Sequence, residues 1–248
     1  MTSYRGVALV TGVSRATGIG AAVATALACD GWNVAAAGWR SYDSRRPWGS
    51  DLEPMASYEV DLSDQYAPGT LIDRVTAAMG PITALVLCHA EAINSDIADT
   101  TVHDFDRHMA VNARATWLLV KGFAAQFHGP AGTGRIVAVS SDDTAFHLPY
   151  GASKGAQERI VQAAAVELAN LGITANVVDP GATDTGWMTP DVQSAVRGGN
   201  LQPRVGQPGD CANLVRFLCS PEGQWVNGQR LRADGGVRPS GALLRPAR

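Results

Sequence analysis

Short runs of β-branched and apolar residues alternate with longer segments whose apolar positions return at the helical period, and the alternation runs through most of the chain. Parallel strands joined by crossover helices produce this pattern. The short runs predict strands at Val7–Thr11, Asn33–Ala37, Tyr58–Asp61, Ala84–Cys88, Ile136–Ser140, Ile173–Val178 and Gln229–Ala233. Several are apolar throughout, as expected where helices cover both faces of a parallel sheet.

Helices fill the intervals. Gly18–Cys29 is alanine-rich and runs into Asp30-Gly31, where glycine takes the left-handed cap conformation. Ser63 is placed as the N-cap of a helix reaching about Met79, which Gly80-Pro81 stops. Val102–Phe127 and Tyr150–Leu171 read as two long helices, and Pro208–Ser220 as a shorter one. No repeat, linker or low-complexity stretch divides the sequence, so residues 1–248 are read as one α/β domain. Ser41–Pro54 and Gly186–Gln207, rich in Pro, Gly, Trp and Arg, are least like regular structure. Loops of that length in a compact domain are usually functional or mobile.

Composition narrows the classes. A chain of 248 residues can bury a substantial core. Its net charge of −3 and pI near 5.9 argue against a nucleic-acid surface, which concentrates Lys and Arg to neutralise phosphates. No stretch approaches the roughly 20 uncharged apolar residues of a membrane span. The start, MTSYRGVALV, enters an apolar run too short for a signal-peptide core, so a cytoplasmic protein is expected. The four cysteines, Cys29, Cys88, Cys211 and Cys219, have no CxxC spacing and read as buried thiols. His103 and His108, five apart, miss the i, i+4 face of a two-histidine site, and no metal is expected.

After the first strand comes TGVSRATGIG, residues 11–20. A strand, a glycine turn and a small-residue helix are the setting in which glycines carry meaning. Gly12 permits the tight turn, Gly18 lets backbone approach a phosphate, and Gly20 lets the helix pack on the sheet. The helix N-terminus then offers free N–H groups to a pyrophosphate. The five residues between Gly12 and Gly18 are about two more than such a loop needs. The second strand ends in Gly38-Trp39-Arg40 without the Asp or Glu that would accept the 2′-hydroxyl of NAD. Arg40 and Arg15 instead suit a 2′-phosphate, or Arg40 is a solvated loop residue, with Trp39 packed on adenine or on the core. Asp61, in VDLSD, meets the adenine amino group or caps a helix.

The chemical signal lies in YGASK, residues 150–154. Tyr150 and Lys154, four apart at a helix start, share a face, and a neighbouring ammonium lowers a phenol's pKa. The pair can pass a proton to or from a substrate oxygen. Ser141, ending the strand of GRIVAVSS, can donate to the same oxygen, and Ser140 is a second candidate. Asn112, in MAVNARA, can hold a water linking Lys154 to solvent. His147 faces the substrate or is an exposed loop residue.

With these segments in order, the chain resembles the short-chain dehydrogenase/reductase family over nearly its whole length. TGVSRATGIG, DLSD, VNARA, VAVSS, YGASK, ITANVVDPGATDT, RVGQPGD and VNGQRLRADGG carry the resemblance. It implies a single Rossmann-type, doubly wound domain with a seven-stranded parallel sheet, hydride transfer between NAD(P) and a carbonyl or alcohol, and a tetrad of Asn112, Ser141, Tyr150 and Lys154. It also places Pro180, Gly181, Thr183 and Thr185 near the nicotinamide, with Ser14, Ile19, Leu62, His89 and Ala90 among the cofactor-binding positions. Two departures stand out. Cys88-His89-Ala90-Glu91 replaces the family's Asn-Asn-Ala-Gly, and only nine positions separate Ser141 from Tyr150, fewer than is usual.

The resulting expectation is an NADP(H)-dependent reductase of a ketone or similar group, with NAD(H) a possible cofactor. Tyr150 gives the proton, Ser141 holds the oxygen, and Lys154 binds the ribose and tunes Tyr150. The alternatives are an NAD-dependent alcohol dehydrogenase and a non-catalytic NAD(P)-binding sensor. Gly186–Gln207 is expected to form a mobile substrate lid, in which Trp187 and Met188 suggest an apolar or aromatic-bearing substrate. The two long helices, apolar on more than one face, fit a homodimer or homotetramer.

Overall fold

The computed structural model describes residues 6–46, 49, 58–143 and 145–236. Half of the predicted loop Ser41–Pro54 lies outside them. One parallel seven-stranded sheet runs in the order β3-β2-β1-β4-β5-β6-β7. Its strands are β1 (Val7–Thr11), β2 (Asn33–Gly38), β3 (Tyr58–Glu59), β4 (Ile82–Leu87), β5 (Gly134–Val139), β6 (Ile173–Asp179) and β7 (Arg230–Arg232). All seven predicted strands form, with ends displaced by a few residues.

Side chains alternate across the sheet, as the period of a strand demands. Val7 and Leu9 of β1, Ile136 of β5 and Val177 of β6 enter one core, while Ala8, Val10, Val137 and Val178 enter the other. The first core is closed by α3 (Ala67–Met79), α5 (Ala115–Gln126) and α6 (Leu148–Glu167), and the second by α1 (Ile19–Cys29) and α8 (Pro208–Cys219). Strands β1, β5 and β6 are buried along their whole length, which accounts for their mainly apolar character.

Several expectations need correction. Helix α3 starts at Ala67 rather than after Ser63. The Asp61 carboxylate accepts the Ser63 N–H at 2.9 Å, so this stretch closes as a side-chain-capped turn before any helix begins. The helix expected at Val102–Phe127 is divided. A seven-residue α4 (Val102–His108) passes through a widened π turn, Met109–Arg114, into α5. Gly186–Gln207 is not loop throughout, because α7 (Pro190–Gly199) forms in it, its first turn capped by Thr189. A four-residue α2 (Arg40–Asp43) follows β2. Among the cysteines, Cys211 and Cys219 are buried, whereas Cys29, the last residue of α1, is exposed. No helix among the described residues is long and apolar enough to cross a membrane.

Candidate active site

The strand order reverses at β1, whose neighbours are β2 and β4, and this is where open α/β sheets leave a crevice beyond their carboxyl ends. A groove of about 570 Å³ occupies that place, with a smaller pocket of about 60 Å³ beside it at the end of β2.

Glycine is required in the floor of the groove. Gly12 has φ +75, and a Cβ there would lie 2.5 Å from the Cys88 carbonyl. A Cβ on Gly20 would lie 2.4 Å from the Gly12 oxygen, so the tight fit of α1 against β1 depends on its absence. The extra residues of the loop fold into one turn in which the Gly18 N–H reaches the Arg15 carbonyl at 3.1 Å. Gly18 then caps α1 with no side-chain hydrogen bond and no acidic residue in the first turn. The N–H groups at this helix start are therefore left for an anionic ligand, and Ser14, Gly18 and Ile19 line the groove beside them. These residues fit a dinucleotide pyrophosphate.

Arg15 does not lie as expected. Its guanidinium crosses the groove and donates to the Thr185 carbonyl, and Thr17 Oγ1 donates to the same oxygen at 3.2 Å. The insertion thus ties the glycine loop to the loop after β6 instead of wrapping the end of β2. Ser14 donates to the buried carboxylate of Asp43. Arg40 pairs with Glu59, Nε to Oε2 at 3.1 Å, both side chains remaining exposed, which matches the solvated alternative.

In the small pocket, Trp39, Asp61, Leu62, His89, Ala90 and Glu91 come together. His89 is buried, its Nδ1 2.7 Å from Thr11 Oγ1, and desolvation with the nearby Lys154 charge lowers its pKa to about 3, so the ring is neutral. Asp61 is turned toward its own turn, 3.9 Å from Arg107 Nη2.

At the other end Ser141, Tyr150, Lys154, Pro180, Gly181, Thr183 and Thr185 line one groove. The two serines separate clearly. Ser140 Oγ donates to Glu158 at 2.7 Å, whereas the Ser141 hydroxyl accepts the Asp143 N–H at 3.2 Å and lines the groove together with Tyr150. Burial, then the Asp143 charge, raise the Tyr150 pKa above its ordinary 10.0, and only the neighbouring Ser141 hydroxyl among the leading influences lowers it. Lys154 is not among the leading influences on the phenol. Its ammonium donates to the Val139 carbonyl at 2.8 Å and to Gln157 Oε1 at 3.0 Å, and burial lowers its pKa to about 8.

Asn112 sits in the π turn, fully buried. Its carboxamide accepts from the Glu91 N–H at 2.7 Å and donates to the Glu91 carbonyl at 2.9 Å and to Ser153 Oγ at 2.8 Å. It is not open to carry a water to Lys154. The polar route from Lys154 runs instead through Gln157, whose Nε2 donates to Thr116 Oγ1 at 3.1 Å, and Thr116 donates to the Asn112 carbonyl at 2.8 Å. Sequence reading missed Gln157 and Thr116, although Gln157 three after Lys154 and Thr116 four after Asn112 carry the helical spacing that could have found them.

The shortened segment between Ser141 and Tyr150 turns sharply at Phe146, φ 65, and is strapped where the Leu148 N–H reaches the Ser95 carbonyl at 2.9 Å. His147 thereby lines the groove. Trp187 lines it too, while Met188 is packed away from solvent. Among the described residues no cluster of three metal-ligating side chains occurs.

A family model described as enoyl-(acyl carrier protein) reductase matches residues 12–238. An uncharacterized oxidoreductase, YjdA, of Bacillus subtilis (strain 168) is 31% identical over 94% of this chain and 97% of its own. A short chain dehydrogenase from Burkholderia cenocepacia J2315, solved in complex with NADP, superposes with TM-score 0.82 at 32% identity, covering 95% of this chain and 99% of that one. The angucycline C-6 ketoreductase LanV, solved with bound NADP, gives TM-score 0.81 at 28% identity, over 95% and 96%.

Proposed function

Because the chain belongs to the short-chain dehydrogenase/reductase family, we propose that it is an NADP(H)-dependent reductase of a ketone or similar carbonyl on a small substrate. The observation that carries this reading is that Tyr150 and Ser141 together line one end of a groove whose other end is the uncapped start of α1. When bound, NADPH supplies the hydride to the carbonyl carbon. Ser141 donates to the substrate oxygen and steadies its developing charge, and the phenol of Tyr150 gives it the proton. The phenol, which burial and the nearby Asp143 keep protonated at neutral pH, carries the proton that reduction requires. Lys154 lies 5.8 Å from the Tyr150 ring centroid, where its charge supports the ribose side of the groove.

Support for NADP(H) comes from the bound cofactor of the two solved relatives and from Arg40. Its exposed pair with Glu59 is of a kind worth about 0–1 kcal/mol, so a 2′-phosphate of higher charge can displace the carboxylate. Trp187 at the groove favours a substrate with an aromatic or apolar part, the segment 186–207 acts as its lid, and α5 and α6 form the contact of a homodimer or homotetramer.

Tyr150→Phe tests the reading. Turnover of NADPH with a ketone panel should vanish while NADPH binding persists; retention of most activity would overturn it. A non-catalytic sensor would bind NADPH and never oxidise it.

A further inference from the structure

Resting on the nucleotide reading above, we infer that Glu91 is the positioning residue for the adenosine half of the dinucleotide, acting through two arginines and two aromatic rings. At this position the family resemblance leads to glycine, which has no side chain to play such a part. Here the carboxylate is buried, 7% exposed, and each oxygen takes one guanidinium: Oε2 accepts from Arg107 Nε at 2.7 Å and Oε1 from Arg46 Nη2 at 3.2 Å.

Each guanidinium in turn holds a ring. Arg107 lies 5.0 Å over Trp39 and Arg46 lies 4.5 Å over Tyr42, within cation–π range. Arg46 also donates to the Tyr42 hydroxyl at 3.1 Å and to the Ala92 carbonyl at 2.7 Å. Trp39 and Tyr42 are walls of the small pocket at the end of β2, where such folds hold adenosine. These residues come from the β2 end, the β4 end and α4, so one carboxylate fixes three separate pieces of chain around one pocket. The backbone of Glu91 is itself held by Asn112, which leaves the side chain little freedom to serve elsewhere.

The test is calorimetric titration of wild type, Glu91→Gln and Glu91→Asp with 2′,5′-ADP and, separately, nicotinamide mononucleotide, alongside steady-state kinetics. Glu91→Gln should weaken 2′,5′-ADP about tenfold, equivalent to about 1.4 kcal/mol. It should leave nicotinamide mononucleotide binding in place and raise the KM for NADPH with little change in kcat. Glu91→Asp should recover part of the loss. Unchanged 2′,5′-ADP affinity in Glu91→Gln, or equal loss of both fragments, overturns the inference while leaving the proposed function standing. Failure of the wild type to bind either NADPH or 2′,5′-ADP overturns both. If Glu91→Gln does not fold, Arg46→Gln, which keeps the Glu91–Arg107 pair, decides the matter by the same titration: a selective loss of 2′,5′-ADP supports the inference and no loss overturns it.

Discussion

The carboxamide of Asn112 clasps the backbone of Glu91 from both sides, accepting its N–H and donating to its carbonyl, while a further bond to Ser153 ties the same side chain to α6. A residue read as a water carrier is thus a buried fastener between the β4 loop, the π turn and the helix that bears Tyr150 and Lys154. The side chain sits in the widened turn, where the backbone bonds run to i+5 in place of i+4.

Asn112→Ala should therefore act first on stability. It leaves the Glu91 N–H and carbonyl without their side-chain partner, while the Ser153 hydroxyl keeps its bond to the Tyr150 carbonyl, and an unsatisfied buried polar group costs about 1–3 kcal/mol. Urea unfolding should show a loss of that size with an unchanged slope. An unmoved midpoint would mean that rearranged contacts replace the clasp.

Ser141 and Ser140 should separate by activity. Ser141→Ala removes the hydroxyl that lines the groove with Tyr150 and should lower kcat by about a hundredfold or more. Ser140→Ala removes a donor to Glu158 on the helix side and should lower it far less. Parallel kcat measurements on the two variants decide this, and equal losses would contradict the assignment.

The legibility of these parts follows their physics. Strands β1, β5 and β6 were plain because burial on both faces writes a mainly apolar, β-branched run. Tyr150, Lys154 and the glycines were plain because their spacing is local. What was hidden depends on side-chain direction between distant segments. Ser63 looked like a cap, yet it sits in a turn closed by Asp61, and the helix begins four residues later. Arg15 lies across the groove because Thr185, 170 positions away, offers a carbonyl. Nothing local distinguishes Ser140 from Ser141 until Glu158 and Tyr150 are seen on opposite sides.

Lys154 should impose a pH signature. Burial lowers its pKa from 10.5 to about 8, so above pH 8 the unfolded chain holds a proton the folded one has released. Unfolding free energy then rises with pH through this window and is flat below it. The buried Cys88, Cys211, Cys219 and Tyr150, all with raised pKa values, act in the opposite sense at higher pH. The contribution is therefore read as the wild-type-minus-Lys154→Met difference in urea midpoint, which should increase from pH 8 toward 10.5. A flat difference would show an ordinary lysine. In turnover, loss of the ammonium should lower the reduction rate above about pH 8.

Arg15 and Arg40 make opposite predictions about the cofactor. Arg40 stands at the end of β2, its side chain held by an exposed pair with Glu59, so Arg40→Asp should cut the preference for NADPH over NADH by placing a carboxylate where the 2′-phosphate would sit. Arg15 joins the glycine loop to Thr185 across the groove, on the pyrophosphate side. Arg15→Ala should leave the NADPH-to-NADH preference unchanged and speed the release of both nucleotides, because opening the groove no longer breaks that bond. Stopped-flow displacement of each cofactor separates the two roles. A selective loss of NADPH in Arg15→Ala would return the residue to the 2′-phosphate, and the two inserted residues would then serve recognition and not closure.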